Sequence, residues 1–360
     1  MDFELPQEVA ERYDLAVEEP GQIPLLGEGS YGLVFLGRPR HDASGTVALK
    51  RCFDSLLLDD AATLKRTYRE LAVLRSLSHN NVVVLLDAVL PKSGADLYLV
   101  FPAAAHDLDK AIRYNLLDGD AQRLAARDMA RALRYLHESG LIHRDVKPGN
   151  VLLEPGGARL CDFGLVRCLG SSRSLTEYVG MRWYRAPELL LGKMNYSEAV
   201  DIWAYACVVG EMALGRPLLQ GIDAEEQLGL TVGLLSARKL TKEEADLPGI
   251  SRTAAACLAR TKPLGQSLER KLRHVVEPTG MDFLRQCLLL RDDERPSALG
   301  LLRHAHLVDL WEDFDDVPRV AHINLAIDDR EDVGPEHILQ AIVEEVRLVS
   351  HGRECESQSG

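Results

Sequence analysis

The sequence lacks any apolar run long enough to cross a lipid bilayer, which takes about 20 consecutive residues. Its first residues, MDFELPQEVAERYD, are acidic and do not resemble a signal peptide. Basic residues are in deficit, with 42 lysines and arginines against 55 aspartates and glutamates and a net charge of −13. This balance argues against general binding to nucleic acid or anionic lipid, and it favours basic partners.

Cysteine pairs are also lacking, because the seven cysteines are scattered and none forms a C-x-x-C motif. This usage predicts reduced thiols inside the cell rather than disulfides or a zinc site. We therefore expect a cytosolic or nuclear protein with no nucleic-acid and no membrane partner. With 360 residues, the chain is too long for one ordinary core and should form two lobes or two domains.

The first part of the chain has the pattern of a sheet. Residues 22–101 contain short apolar runs bounded by Gly, Pro, Asn or Asp, and a charged helix is expected over about residues 60–77. The predicted strands are LVFLG (33–37), VALKRC (47–52), VVVLL (82–86) and DLYLVF (96–101).

The second part of the chain, after Asp107, has helical spacing of its apolar residues. One helix is predicted over residues 120–139, with Gly140 as its C-cap. A second, apolar almost all round, is predicted to begin at Ser197 and stop at Gly215. We therefore predict an α+β, bilobal fold whose cleft between a small β-rich lobe and a larger helical lobe holds the active site.

The motif GEGSYGLV contains Gly27, Gly29 and Gly32, whose spacing lets backbone amides approach phosphate oxygens. Alone, this motif also suits a dinucleotide fold or a plain hairpin. Its position between predicted strands argues against the dinucleotide fold. In VALK, Ala48 and Lys50 face the same side of a strand, leaving room for a flat base beside a cation.

A lysine in a cleft needs a group that holds it there. Glu70, on the charged helix, is the expected ion-pair partner of Lys50. Taken in isolation, each of these two residues is more often an ordinary surface charge.

HRDVKPGN (143–150), followed by CDFG (161–164), contains the strongest signal. Asp145 is suited to orient a hydroxyl and accept its proton, and Lys147 balances phosphate charge. The amide oxygen of Asn150 and the carboxylate of Asp162 are hard ligands that suit Mg²⁺. A solvated charged loop does not explain the order and spacing of these segments together with the glycine motif and Lys50.

Over about residues 20–310, these motifs resemble a eukaryotic protein kinase using ATP and Mg²⁺. The resemblance implies that Asp145 is the catalytic base, with Lys147, Lys50 and Glu70 completing the catalytic set, and that Asn150 and Asp162 hold the metal. It also implies that Pro102 lies at the hinge and that Ala104 supplies the hinge donor. The implied nucleotide-binding residues are Leu26, Gly27, Glu28, Gly29, Ser30, Tyr31, Gly32, Val34, Ala48, Lys50, Phe101, Pro102, Ala104, Asp107 and Leu152.

TEYVGMRWYRAPE (176–188) resembles the activation lip of mitogen-activated protein kinases, in particular the Thr-Glu-Tyr class of the extracellular-signal-regulated kinases. The resemblance implies activation by phosphorylation of Thr176 and Tyr178 by an upstream dual-specificity kinase. A phosphate on Thr176 adds nearly two negative charges, which would order the lip and draw the helix that carries Glu70 into place. The arginines expected to bind this phosphate are Arg66, Arg69, Arg144 and Arg167; the alternative is that they are unrelated surface charges.

The resemblance continues past the kinase motifs. Residues 304–332 and the helical PEHILQAIVEEVRLV resemble the extension that packs back over the small lobe in this family. Glu312, Asp315 and Asp316 match its acidic docking patch for basic segments of activators, phosphatases and substrates. The predicted parts are an N-terminal segment (1–19), the small lobe (20–104), the larger lobe (105–310), the extension (311–349) and a disordered tail (350–360).

Gly180 bears on the choice of substrate. The matching family position is strained and leaves the amide of the residue after the target hydroxyl without a partner, and proline has no amide to satisfy. We therefore predict substrates with Ser or Thr followed by Pro. Met181 replaces the family's Thr, whose hydroxyl bonds the catalytic aspartate and lysine. Turnover is expected to be lower for this reason, and Met181→Thr is expected to raise kcat.

Two functions are alternatives to an active mitogen-activated kinase. A pseudokinase scaffold that acts by docking is favoured only by Met181, since Lys50, Asp145, Asn150 and Asp162 are intact. A cyclin-dependent kinase would need a cyclin-binding helix, which KRTYRELAVL does not match. Residues 222–275 match the family loosely, so no binding surface is carried over there.

Three more residues have structural explanations. Cys161 is expected to be a small buried side chain rather than a reactive thiol. Asp201 is expected to accept hydrogen bonds from loop amides near His143, because a buried carboxylate requires partners. Glu188 is expected to pair with Arg295.

Overall fold

In a computed structural model of the chain, a curled sheet and one long helix form the small lobe, and helices dominate the larger lobe. The structure describes residues 4–17, 24–29, 32–41, 45–53, 56–57, 60–92, 96–169, 182–236, 238–310, 323, 325 and 333–357.

The strands of the described residues are β1 Tyr13–Leu15, β2 Leu25–Gly29, β3 Gly32–Pro39, β4 Val47–Cys52, β5 Asp87–Val89, β6 Leu97–Pro102, β7 His106–Asp107, β8 Leu141–Ile142, β9 Val151–Glu154, β10 Gly157–Leu160 and β11 Arg167–Cys168. They form three sheets. The six-stranded sheet of the small lobe has the order β1-β3-β4-β6-β5, with β2 also pairing with β3, and all of its pairs are antiparallel. The larger lobe contains the sheet β10-β9-β7 and the pair β11-β8.

The helices of the described residues are mostly in the larger lobe. They are α1 Gln7–Ala10, α2 Ala61–Ser76, α3 Leu108–Arg113, α4 Gly119–Glu138, α5 Pro187–Leu190, α6 Ala199–Leu214, α7 Ala224–Leu235, α8 Lys242–Ala245, α9 Arg252–Arg260, α10 Leu268–Leu272, α11 Pro278–Cys287, α12 Ala298–Leu302 and α13 Pro335–Ser357. Short 3₁₀ helices cover Pro148–Asn150, Arg182–Tyr184, Asp292–Glu294 and Val308–Leu310. No helix in this described part has the length and hydrophobicity needed to cross a membrane.

Local sequence signals placed the helix ends to within a residue or two. Asp60 caps α2 by accepting hydrogen bonds from two backbone amides of the first turn. Gly215 ends α6 in the left-handed conformation, as predicted. Ser139 rather than Gly140 is the C-cap of α4, and Gly140 follows it with a φ of 75°. Glu198 rather than Ser197 is the N-cap of α6.

One predicted strand is wrong. VVVLL (82–86) contributes a single parallel bridge between Val82 and Leu160, and the neighbouring strand β5 starts only at Asp87. Val82 and Val83 are buried, and the amide of Val83 donates to the carbonyl of Leu160 at 2.9 Å. The apolar run therefore packs the small lobe against the larger one instead of joining a ladder.

Both ends of the described chain belong to the small lobe. The N-terminal segment adds β1 to the sheet, where the hydroxyl of Tyr13 donates to Asp87 at 2.7 Å. Helix α13 packs along α2, with Ile338 and Ile342 fully buried, which confirms that the extension folds back. The tail predicted to be disordered from residue 350 is instead helical as far as Ser357. Composition missed this because the polar last residues of α13 continue a helix whose apolar first part is anchored on α2.

Candidate active site

The small lobe contributes a partly buried cation to the site. Lys50 on β4 donates from Nζ to Glu70 Oε1 on α2 at 2.5 Å, and the same Nζ lies 4.0 Å from Asp162 Oδ1. Burial opposes the charge on Lys50, but the carboxylates of Glu70 and Asp162 outweigh burial and raise its pKa. The predicted pair is therefore present, and it brings the small lobe to the segment that follows β10.

The larger lobe contributes a compact polar group. Asp145 Oδ2 accepts hydrogen bonds from Lys147 Nζ at 2.7 Å and from Asn150 Nδ2 at 2.8 Å. The same Asn150 amide donates to the Asp145 carbonyl at 2.8 Å. These bonds restrict the carboxylate of Asp145 to one orientation.

Helix α6 fixes the backbone of this group. Asp201, which is fully buried, accepts from the amides of His143 at 2.8 Å and Arg144 at 2.7 Å, and its carboxylate lies 2.9 Å from His137 Nε2. Burial opposes ionisation of Asp201, but the bond to His137 and the positive charges around it lower its pKa. The predicted role of Asp201 is confirmed.

Two residues of the site have a left-handed backbone although they are not glycine. Arg144 has a φ of 70° and Asp162 a φ of 64°. Such conformations are costly and persist only where the surroundings impose them. The bonds that the amides of His143 and Arg144 donate to Asp201, together with the 3.1 Å contact between His143 Nε2 and the Cys161 carbonyl, supply that support.

The predicted nucleotide-binding residues lie on strands of both lobes. On the small lobe, Ala48 pairs with Phe101 between β4 and β6. On the larger lobe, Asp107 pairs with Leu152 between β7 and β9. Leu26, Gly27, Glu28 and Gly29 lie on β2, Gly32 and Val34 on β3, and Ser30 and Tyr31 lie outside the described residues.

The glycines of this motif have different reasons to be glycine. A Cβ added to Gly32 would lie 2.0 Å from the Arg51 carbonyl oxygen, so packing excludes any side chain there. A Cβ added to Gly27 would have no neighbour within 4 Å. Packing therefore does not require glycine at position 27, and the open space beside it suits a ligand.

The hinge residues also suit a nucleotide base. Pro102 ends β6 and has no amide hydrogen, and the amide of Ala103 donates to the Thr46 carbonyl at 3.3 Å. The amide of Ala104 donates to no described group. This amide is therefore available to a base, and the role of Ala104 as the hinge donor stays a prediction.

The acceptors around Asp162 fit Mg²⁺. Asp162 Oδ1 is buried and accepts no hydrogen bond from the described residues. Burial opposes ionisation of Asp162, but Lys50 and neighbouring cations outweigh burial and lower its pKa, so the carboxylate is charged. The amide nitrogen of Asn150 is used by Asp145, which leaves the amide oxygen as the remaining acceptor. A carboxylate and an amide oxygen match the few protein ligands that Mg²⁺ takes beside phosphate oxygens.

Three of the four arginines predicted to bind phosphate gather just after Asp162. Arg69 donates to the Gly164 carbonyl at 2.7 Å, and a Cβ added to Gly164 would lie 2.7 Å from Arg66 Nε. Arg144 donates to the Leu165 carbonyl at 3.4 Å and lies over the ring of Tyr196. Arg167 is on β11 and pairs with Ile142 of β8.

Several predicted residues cannot be placed. Residues 170–181, which include Thr176, Tyr178, Gly180 and Met181, lie outside the described residues. The same holds for the docking residues Glu312, Asp315 and Asp316. The hypotheses about the lip and the docking patch therefore stay predictions.

The structural predictions near the site are supported. Cys161 is partly rather than fully buried, and burial together with the neighbouring Asp162 carboxylate raises its pKa, so it is a neutral thiol and a poor nucleophile. Glu188 and Arg295 form a fully buried, two-bond ion pair with distances of 2.7 and 2.8 Å.

Sequence reasoning missed a bond between the lobes. Lys110 Nζ on α3 donates to the Leu26 carbonyl on β2 at 3.0 Å and lies 3.7 Å from Asp107 Oδ2. Lys110 thus joins both sides of the cleft beside residues predicted to bind nucleotide. The available signal was its spacing of three residues from Asp107 at the start of a helix.

It also missed how the segment after the lip is held. Trp183 Nε1 donates to the Gly221 carbonyl at 3.3 Å, and Gln227 on α7 donates to the Trp183 carbonyl at 3.2 Å. The hydroxyl of Tyr184 donates to the buried Glu211 on α6 at 2.7 Å. These partners are far apart in sequence, so no local sequence pattern predicts the bonds between them.

Comparison with known proteins is consistent with this geometry. The family model described as the protein kinase domain matches residues 22–307. Mitogen-activated protein kinase 15 of Rattus norvegicus is 36% identical over 294 residues, which cover 78% of this chain and 52% of that protein. Mitogen-activated protein kinase 1 of Oryza sativa subsp. japonica is 33% identical over 299 residues, covering 81% of this chain and 73% of that protein.

A third relative is covered more fully. Mitogen-activated protein kinase 7 of Arabidopsis thaliana is 32% identical over 311 residues, covering 84% of this chain and 83% of that protein. By contrast, the chain spans only about half the length of the rat and mouse relatives, 52% and 55%. The chain belongs to the protein kinases and, within them, to the mitogen-activated protein kinases, a family of serine/threonine kinases.

Proposed function

We propose that the chain transfers the terminal phosphate of Mg-ATP to serine or threonine residues followed by proline, after phosphorylation of Thr176 and Tyr178. The observation that carries the proposal is the meeting of two residue groups. Lys50, held by Glu70, lies 4.0 Å from Asp162, and Asp145 is held by Lys147 and Asn150. Together they supply a phosphate-binding cation, metal ligands and a proton acceptor.

The residues of this chain have separate roles in the reaction. Mg-ATP, when bound, supplies the phosphoryl group and the positive charge of the metal. Asn150 and Asp162 would hold the metal, and Lys50 would bind phosphate oxygens. The carboxylate of Asp145 orients the substrate hydroxyl and accepts its proton, while Lys147 offsets negative charge beside it.

The proposed switch acts on the arginines near Gly164. There, Arg69 and Arg144 donate to backbone carbonyls, and Arg66 lies beside Gly164. A phosphate on Thr176 would offer these three arginines a dianion to bind. Since Arg66 and Arg69 lie on α2, such a contact would also hold Glu70 in place. The proposed partners are an upstream dual-specificity kinase, together with phosphatases and substrates that bring basic docking segments. The proposed location is the cytosol or nucleus.

The test is phosphotransfer to a peptide with a Ser-Pro site. The doubly phosphorylated wild type should be active, Asp145→Asn should lose about 10³-fold in kcat, and Thr176→Ala/Tyr178→Phe should remain at the basal rate. Replacing the Pro by Ala in the peptide should remove most of the rate. Full activity of Asp145→Asn would contradict the site, and full activity of the lip variant would contradict the switch. No activity in any form would favour the scaffold alternative.

A further inference from the structure

A segment of the larger lobe has a charge opposite to that of the whole chain. Residues 252–274 contain six lysines and arginines and a single acidic residue, Glu269, although the chain has a net charge of −13. Glu269 is already paired with Arg285 at 2.9 Å. We call the exposed cations of this segment, together with Arg216 and Lys271, the basic strip.

The fold presents these cations to solvent. Leu258, Leu268 and Leu272 are buried, which fixes α9 and α10 against the lobe. Between the two helices, the amide of Leu264 donates to the Gly229 carbonyl on α7 at 2.9 Å. The exposed members of the strip are Arg216, Arg252, Arg260, Lys262, Arg270 and Arg273.

The basic strip lacks the ion pairs that are common elsewhere on this surface. Arg40, Arg238 and Arg291 are paired with carboxylates at 2.5, 2.6 and 2.8 Å. Among the described residues, by contrast, no carboxylate pairs with Arg216, Arg252, Arg260, Lys262 or Arg270. Their charge is therefore available to a partner.

One end of the strip holds two cations close together. Lys271 Nζ is partly buried and donates to the Leu218 carbonyl at 2.9 Å. Burial and the positive charge of the nearby Arg216 lower the pKa of Lys271. An anion at this point would relieve the repulsion between the two side chains.

We infer that the basic strip is a docking surface for an aspartate- and glutamate-rich segment of a protein. The remainder of the chain is more acidic than the whole, and it would repel a nucleic acid or an anionic membrane. A single polypeptide segment can follow the strip without approaching that acidic surface. The inferred surface is opposite in sign to the predicted acidic patch at Glu312, Asp315 and Asp316.

The strip is connected to the segment that follows the lip. Leu218, which accepts from Lys271, precedes Gly221 by three residues, and Gly221 accepts from Trp183 at 3.3 Å. A substrate docked on the strip would therefore be tethered near the segment of Trp183; this use of the surface rests on the proposed function, whereas the binding itself does not.

The test measures binding of a labelled, glutamate-rich 12-residue peptide without Ser or Thr to the full chain. Fluorescence anisotropy reports the binding at about 50 and 300 mM salt, because salt screens an interaction between charges. The variant Arg260→Gln/Lys262→Gln/Arg270→Gln should weaken binding by about tenfold. The matched control, Arg38→Gln/Lys92→Gln/Arg347→Gln, removes three exposed charges elsewhere and should change binding by less than about twofold. Thermal unfolding of both variants checks that each is folded, and Arg270→Gln alone should give a smaller loss if the triple variant is not.

Several results would overturn the inference. These are no peptide binding at low salt, equal weakening in the two triple variants, or tighter strip-dependent binding of a single-stranded oligonucleotide or of anionic vesicles.

A kinetic experiment separates this inference from the proposed function. Fusing the acidic stretch to a Ser-Pro peptide should lower KM in the wild type but not in the strip variant, and both proteins should phosphorylate the unfused peptide equally. Intact binding without any phosphotransfer would leave docking supported and contradict the proposed function alone.

Discussion

The two halves of the active site are held in place by different means. In the larger lobe, the segment from His143 to Asn150 is fixed by the fully buried Asp201 of α6, whose partners lie in the same lobe. In the small lobe, Lys50 depends on Glu70, and therefore on where α2 lies. Helix α2 is in turn held by contacts of its arginine side chains with other parts of the chain.

Those contacts on α2 span long sequence distances. The contact made by Arg69 is buried, whereas the contact made by Arg75 is more exposed than Asp201. Arg69 reaches the Gly164 carbonyl, and Arg75 Nε lies 2.6 Å from Glu345 on α13. The side chain of Arg75 is 37% exposed, whereas that of Asp201 is 1% exposed. The comparison indicates that the catalytic group is preformed by burial, whereas the nucleotide side can be adjusted by moving α2.

The largest effect is expected where the buried anchor is removed. Asp201→Ala leaves the amides of His143 and Arg144 without their acceptor and should destabilise the fold by about 3 kcal/mol. Loss of the loop geometry should also lower kcat by about 100-fold. Urea unfolding and steady-state kinetics would measure both. Asp309→Ala, which removes an exposed carboxylate paired with Arg123, is the control; a comparable small change in both variants would contradict the comparison.

A medium effect is expected from the pH dependence of the buried scaffold. Burial raises the pKa of Glu211 to about 7 from an ordinary 4.5, although the bond from Tyr184 opposes this. Because the folded protein binds this proton more tightly than the unfolded chain, the contribution to stability is complete below about pH 4.5. It is lost as the pH rises through 7.

Glu211→Gln keeps an acceptor for Tyr184 but does not titrate. Relative to the wild type, this variant should gain on the order of 2 kcal/mol in the free energy of unfolding between pH 5 and pH 8. Denaturant unfolding at four pH values would show it, with Glu225→Gln, an exposed glutamate on α7, as the control. Parallel curves for wild type and Glu211→Gln would refute a buried neutral carboxyl.

The smallest effect is expected at the contact between α2 and α13. A double-mutant cycle with Arg75→Ala and Glu345→Ala should give a coupling of about 1 kcal/mol in unfolding and lower kcat several-fold, since α2 carries Glu70. Helix α13 offers a matched pair, Arg347 and Glu344, which is exposed and separated by 3.7 Å. Coupling there should be near zero. If both pairs couple equally, or if kcat does not change, α13 does not position α2.

The sequence predicted the chemistry of the site better than its supports. The kinase motifs, the ion pair of Lys50 and Glu70, and the role of Asp201 follow from residue types at short spacings. The bonds of Arg75 to Glu345 and of Tyr184 to Glu211 join residues that are distant in sequence, so the spacing of apolar and polar residues does not predict them. The run 82–86 was predicted as a strand because burial between lobes and burial in a sheet give the same apolar pattern.

The central claim is a division of roles in which Asp162 holds the metal and Asp145 positions the alcohol. Calorimetric binding of ATP with and without Mg²⁺, compared with phosphotransfer for Asp145→Asn and Asp162→Asn, tests it most directly. Asp145→Asn should bind Mg-ATP within about threefold of the wild type while losing about 10³-fold in kcat, and Asp162→Asn should lose the Mg²⁺ dependence of ATP binding. Unchanged Mg²⁺ dependence in Asp162→Asn, or loss of Mg-ATP binding in Asp145→Asn, would contradict the account.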